Sequence, residues 1–315
     1  MTAVILLQHL HLTEPRDSGR RVLFAGFIAG VFLFFWCART VAFASEPLFF
    51  PLQKRLIADG LEANYIYKVF QRPEVKLEAK VVAANLIRRE SALNYDQFLT
   101  AATVDRASRY LKQYDHILKQ SEDRFGVPPS VVVAILMVET RLGTYTGRYG
   151  TFNVLSTMAA AVEPKVRQKI LAKVAADQMA GKSGKQVVKR LDKRANRGYG
   201  ELKALIRYLN RNALDPFALK GSSEGAIGIP QFMPSNIERY GRDGNNDGLV
   251  DLFNHEDAIA SVACFLEAHR WKQAAGIRAK KRVLLSYNHS SHYANAVYRL
   301  AELLAQRTSR TQARR

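Results

Sequence analysis

The sequence predicts a mainly α fold, and three observations point there. Thr100 to Phe125 sets Ala107, Leu111, Tyr114, Leu118 and Phe125 among charged neighbours, a stripe at helical spacing. Val131 to Val138 is an unbroken apolar run with Pro128-Pro129-Ser130 as a helix start and Gly143 as a stop, a length that favours helix over strand. Alternation of the strand kind is scarce elsewhere. With 315 residues, 48% hydrophobic and 24% charged, the chain has the composition of a globular protein, without a repeat period.

Taken in order, the first element is not part of that fold. Val22 to Ala38 is seventeen apolar residues, preceded by Arg16, Arg20 and Arg21 and followed by the small-x-small site Ala42-Phe43-Ala44. Residues 1–44 are therefore expected to be a signal peptide, or a membrane anchor if uncleaved, since seventeen residues is the lower limit of a span. Either way the remainder lies outside the cytoplasm, in the periplasm or cell envelope. A buried soluble helix is the alternative reading, and Phe34-Phe35-Trp36 argues against lipidation at Cys37.

Downstream, Leu52 to Gln71 and Val75 to Leu93 show mixed apolar spacing that reads as helix. The run from Val131 ends in a carboxylate. At helical spacing Val132, Ile135, Leu136 and Glu139 share a face, so Glu139 would lodge at the apolar edge of the core, where desolvation raises its pKa and lets it act as a general acid. The plain alternative is a Glu paired with Arg141 or another arginine at a helix end. Neither Glu163 nor Glu224 falls in a setting that looks buried and catalytic.

Between Lys165 and Arg211 there are fourteen Lys or Arg and three acids, broken by Gly181-Lys182-Ser183-Gly184, which suggests two basic helices joined by a turn. These are solvated helix faces or a surface for an anionic wall polymer. The whole chain carries +19, and loss of the four arginines and two acids of residues 1–44 leaves +17, a balance that seeks polyanions. No nucleic-acid-binding signature accompanies it. Outside the inner membrane the available polyanions are phospholipid headgroups and carboxylate-bearing peptidoglycan.

In Gly221 to Ser235, Gly221, Gly225 and Gly228 allow turns and close approach of backbone to a ligand, with Ser235 as a helix cap. Asp243, Asn245, Asp247, Gly248, Leu249 and Asp251 match positions 1, 3, 5, 6, 7 and 9 of an EF-hand loop, although position 12 is Asn254 rather than Glu. A solvated Asx-rich turn is the other reading. Cys264, the only cysteine after residue 44, reads as a small core residue rather than a nucleophile. Residues 306–315 are expected as a frayed basic tail.

Gly126-Val127-Pro128-Pro129, Val138-Glu139-Thr140-Arg141-Leu142-Gly143, GSSEGAIGIPQFMPS at 221–235 and Leu285-Ser286-Tyr287-Asn288 resemble, in this order, the membrane-bound lytic murein transglycosylase B family. The resemblance spans about residues 60–303, inside an expected catalytic region 45–305. It implies a lysozyme-like helical core with a small loop or β region carrying the EF-hand-like loop. The implied activity is non-hydrolytic cleavage of the β-1,4 bond between N-acetylmuramic acid and N-acetylglucosamine, leaving a 1,6-anhydro end. Glu139 would be the single acid and then base, with Ser222, Gln231, Tyr287 and Asn288 binding substrate. Tyr293 joins them or packs between helices. Asp257 would complete a structural calcium site with Asp243, Asn245, Asp247, Leu249 and Asp251. The implied partner is peptidoglycan, with an anionic membrane surface as a second, no nucleic acid, and a monomeric enzyme needing no cofactor for chemistry.

Two departures stand out. Leu142 replaces a frequent aromatic, and Ala161 to Arg167 lacks paired arginines that relatives use near the stem peptide, with Arg167 as a substitute. A silent wall-binding or scaffold protein and a hydrolytic muramidase remain the alternatives.

Overall fold

Helix α6 (Pro129–Thr140) lies at the centre because its sequence leaves no polar face: Val131 through Met137 are all buried. A helix apolar all round has to be enclosed by others. The computed structural model describes residues 47–88 and 94–312, so the export segment 1–44, with Cys37, and the end of the 75–93 reading lie outside the described residues.

The described chain begins with α1 (Phe50–Ala58), α2 (Ala63–Phe70) and α3 (Ala79–Ile87). A single 3-10 turn, Asp96–Leu99, leads to α4 (Ala101–Gln113), capped by the Thr100 hydroxyl, which accepts the Thr103 N–H. The single helix expected over 100–125 is broken at Tyr114, after which α5 (Asp115–Phe125) runs to a left-handed Gly126. No glycine or proline marks that break. Tyr114 stacks on His255 there, and the Tyr110 hydroxyl bonds His255 Nδ1 at 2.9 Å.

Helices α4, α5, α12 (His255–Ala268) and α14 (Ser291–Gln312) enclose α6. A second layer is built on α7 (Thr151–Ala159), α8 (Pro164–Leu171), the one-turn α9 (Ala176–Met179) and α10 (Gly181–Arg211). The expected pair of basic helices is corrected here. The chain turns before Gly181, and α10 then runs 31 residues without interruption, passing through Gly184, Gly198 and Gly200. Gly198 is where α10 crosses α7: a Cβ there would lie 2.6 Å from the Met158 Cβ.

The small β region is two residues on each side, β1 (Tyr149–Gly150) antiparallel to β2 (Lys220–Gly221). It does not carry the EF-hand-like loop. That loop joins α11 (Pro234–Tyr240) to α12 and is tied to the Gly221–Ser235 segment by Ile229 N–H donating to the Leu252 carbonyl at 2.8 Å. Helix α13 (Gly276–Tyr287) precedes α14. The tail is also corrected: α14 continues through residue 312, with Arg307 paired to Asp105 on α4. Cys264 is buried, as a core residue. None of the described helices is long and apolar enough to cross a membrane.

Candidate active site

Glu139 is the penultimate residue of α6. The helix stops just beyond it because Arg141 and Leu142 both take positive φ, 52° and 59°, a conformation that costs non-glycine residues energy and persists only where neighbours enforce it. The enforcement is visible. The Thr140 hydroxyl donates to the Ile229 carbonyl at 2.8 Å and accepts the Gly143 N–H at 2.9 Å, stitching the end of α6 to the glycine-rich turn. Arg141 reaches out to Gln97 Oε1 at 2.8 Å, so it does not clamp Glu139.

The Glu139 residue is partly exposed, but its carboxyl is walled in beside Tyr287 and Tyr293 on the floor of a cleft of about 640 Å³. Desolvation pushes its pKa up to about 7, against a smaller opposing pull from the Tyr293 hydroxyl, which favours the carboxylate. Tyr293 is 1% exposed, and its hydroxyl has no well-aligned hydrogen-bond partner. The same residue packs edge-on against Tyr95 and lies nearly parallel to Tyr287, centroids 6.3 Å apart, so it serves the core and the cleft together.

The structure brings Ser222, Gln231, Tyr287, Asn288 and Tyr293 into the lining of this one cleft with Glu139. Each arrives by a separate local device. Ser222 Oγ accepts the N–H groups of Glu224 at 3.2 Å and Ala226 at 3.0 Å, so its acceptor sites are occupied and its proton is left to donate. Gln231, at φ 51°, gives its side-chain nitrogen to the Thr146 and Gly228 carbonyls, each at 2.9 Å. The Tyr287 hydroxyl donates to the Pro230 carbonyl at 2.6 Å, leaving its ring as wall. Asn288 follows directly at the end of α13.

Sequence reasoning missed part of the lining. Tyr95, Gln97 and Phe98 come from the short turn before α4, which carried no periodic signal. Glu224, read as lacking a buried setting, is corrected: it lines the cleft, is paired with Arg194 of α10 at 2.5 Å, and burial raises its pKa. Arg88 and Arg197 line the same wall. Arg167 is not in this lining; it pairs with Asp192. A larger hollow of about 1030 Å³ between α4, α5 and the end of α14 shares no residue with the cleft; two of its ion pairs are Lys119 with Asp115, at 2.6 Å, and Arg307 with Asp105.

The metal set fares differently. Its donors are all oxygen, as a hard cation requires. Gly248 has the positive φ, 90°, of a loop position 6, and Asp243 accepts the Gly248 N–H at 2.8 Å. Yet no group of three or more acidic, His or Cys side chains gathers around a common point among the described residues. Asp247 and Asp251 accept the loop's own N–H groups, of Leu249 and Phe253, and Leu249 is half exposed. Asp257 is fully buried with both oxygens taken by backbone, Gly244 at 2.8 Å and Asp251 at 2.6 Å. Asn245 and the acids thus cap the loop's own backbone, with oxygen donors at the spacing a hard cation would take.

Comparison with known proteins places the arrangement. Residues 45–281 match the family model described as the transglycosylase SLT domain. A stretch of 175 residues is 30% identical to membrane-bound lytic murein transglycosylase B of Escherichia coli K12, covering 56% of this chain and 40% of that protein. The fold is shared with soluble lytic transglycosylase SltB1 of Pseudomonas aeruginosa at TM-score 0.66 and 22% identity, over 84% of this chain and 100% of that one. It is shared equally with E. coli lytic transglycosylase Slt35 in complex with calcium, at TM-score 0.64 and 23% identity, over 84% and 95%. The mainly α architecture read from the sequence, and the lysozyme-like core that the family resemblance implied, are thus the architecture of these enzymes. The chain belongs to the transglycosylase SLT domain family.

Proposed function

We propose that this protein is a peptidoglycan lytic transglycosylase, with Glu139 as acid and then base. The observation that carries the reading is the Glu139 carboxyl walled in beside Tyr287 and Tyr293 in a sugar-sized cleft, where desolvation raises its pKa to about 7 and, among the described residues, it is in no ion pair. In the first step the Glu139 proton passes to the glycosidic oxygen as the C1–O bond breaks, and the substrate's own 2-acetamido oxygen shares the charge on C1. The Ser222 proton is the donor available to orient that acetamido group. In the second step the Glu139 carboxylate, stabilised by the Tyr293 hydroxyl, takes the proton of the muramyl C6 hydroxyl as O6 bonds to C1. The anhydro ring closes, Glu139 is protonated again, and no water is consumed. Tyr287, Asn288 and Gln231 hold the sugars.

Glu224 favours a second reading, hydrolysis, because it is a further carboxylate in the same cleft. Its pairing with Arg194 argues against a base role. Products separate the two: digestion of purified peptidoglycan is expected to yield anhydromuropeptides by mass spectrometry, whereas reducing muramyl ends would make the protein a hydrolase. Release of neither would leave a wall-binding scaffold.

The export pattern of residues 1–44 and the membrane-bound relative support a site of action at the cell envelope. For the 243–257 loop, calcium would act on loop order and not on the chemistry. The reading is supported by the oxygen donors and their spacing and by the calcium complex of Slt35. Millimolar calcium is expected to raise the melting temperature of the wild type but not of Asp243→Ala; a flat response in both leaves the loop a self-capped turn.

A further inference from the structure

The α10 wall of the cleft carries a charge arrangement that the cleavage steps do not use. Glu224 Oε1 accepts from Arg194 Nη2 at 2.5 Å, with the arginine side chain 25% and the glutamate 33% exposed. Arg197, one turn further along α10, is exposed, lines the cleft and is in no ion pair among the described residues. Arg88, just past the end of α3, lines it too. All three guanidinium groups act electrostatically on the one carboxylate.

The pairing is also incomplete. Arg194 Nε is buried and has no hydrogen-bond partner among the described residues, so Glu224 uses one donor of a fork built to hold a carboxylate with two. An unmet buried donor is rare enough to call for an explanation, and here an anion bound across Nε and Nη2 would supply it. The backbone beneath Glu224 is fixed separately. Ser222 Oγ accepts the Glu224 N–H, and Asn85 donates to the Ser223 carbonyl at 2.7 Å while accepting from the Ser223 hydroxyl at 3.1 Å. Release of the carboxylate therefore needs only side-chain rotation.

We propose that Arg194, flanked by Arg88 and Arg197, is a carboxylate-binding subsite for the peptide carried on the glycan, occupied by Glu224 in the free protein and vacated when substrate enters. Glu224 acts as an internal competitor that spares the arginines an unpaired state and favours strands bearing an acidic peptide over bare glycan. This rests on the transglycosylase reading, but its test does not depend on turnover.

Binding is measured in a Glu139→Gln background, with fluorescent glycan oligomers that either carry their peptides or have been stripped of them by an amidase. The readout is the ratio of the two affinities. Glu224→Gln is expected to raise that ratio about three- to tenfold, and Arg197→Ala, a surface change that leaves the fold intact, to lower it by a similar factor, both effects fading at high salt. An unchanged ratio in both variants, or a fall with Glu224→Gln in a protein that melts normally, overturns the subsite. If the variants instead alter binding to phosphatidylglycerol vesicles and not to peptide-bearing strands, the arginines face a membrane and the proposal is likewise wrong. Failure of the wild type to cleave strands would overturn the proposed function and leave this ratio readable.

Discussion

Glu139 is a single side chain on which desolvation and a phenol compete, and desolvation wins. The consequence for stability follows from linkage: with its pKa near 7 in the fold and about 4.5 when unfolded, the native state holds the extra proton between those values. This residue therefore makes the protein less stable as pH rises through that window, by about 3 kcal/mol once complete. Glu139→Gln is expected to melt higher than wild type at pH 8 and nearly equal to it at pH 4.5, as thermal denaturation at the two pH values would show. Activity should fall about 10²- to 10⁴-fold or more in the same variant. A one-carboxylate mechanism also fixes the shape of the pH profile. The kcat/KM of the wild type should decline above pH about 7 with no acidic limb, whereas a limb near pH 4 to 5 would indicate a second carboxylate that must start ionised.

Among the elements, α10 shows how packing overrides helix preference. Two of its interior glycines differ in their surroundings: a Cβ on Gly200 meets nothing within 4 Å, while one on Gly198 would press on the Met158 Cβ and on backbone of α7. Gly200→Ala should therefore stabilise by about 0.5–1 kcal/mol through helix propensity alone. Gly198→Ala gains the same amount and loses more to overpacking, a net destabilisation of about 1–2 kcal/mol. Urea denaturation of the pair checks both signs, and a stabilised Gly198→Ala would mean that α7 and α10 slide apart at little expense. The sequence shows these glycines but not their neighbours, which is why the Gly181–Gly184 cluster reads as a break and the chain treats it as the start of a long helix. The break at Tyr114 fails in the opposite direction, since it is set by contact with His255 rather than by any local breaker.

For the whole molecule, a chain whose formal charge is +17 beyond residue 44 should bind isolated cell-wall sacculi in a strongly salt-dependent way. Co-sedimentation in low salt, lost as sodium chloride is raised to roughly 0.5 M, about a 4 Å screening length, is the expected result. Retention in high salt would mean that shape and hydrogen bonds in the cleft, not net charge, hold the polymer.

The sequence by itself determined the helical class and an apolar helix that ends in an acid, because apolar runs and their boundary residues are local. The family resemblance of its motifs pointed to Ser222, Gln231, Tyr287 and Asn288, and left Tyr293 between cleft and helix packing; the fold puts all five in the lining with Glu139. Only the tertiary structure decided that Glu224 faces three arginines, that the Asp-rich loop caps itself, and that Tyr95 and Phe98 complete the wall. Those outcomes depend on segments distant along the chain meeting in space, and the energies that settle them, desolvation and close packing, exist only once the neighbours are in place.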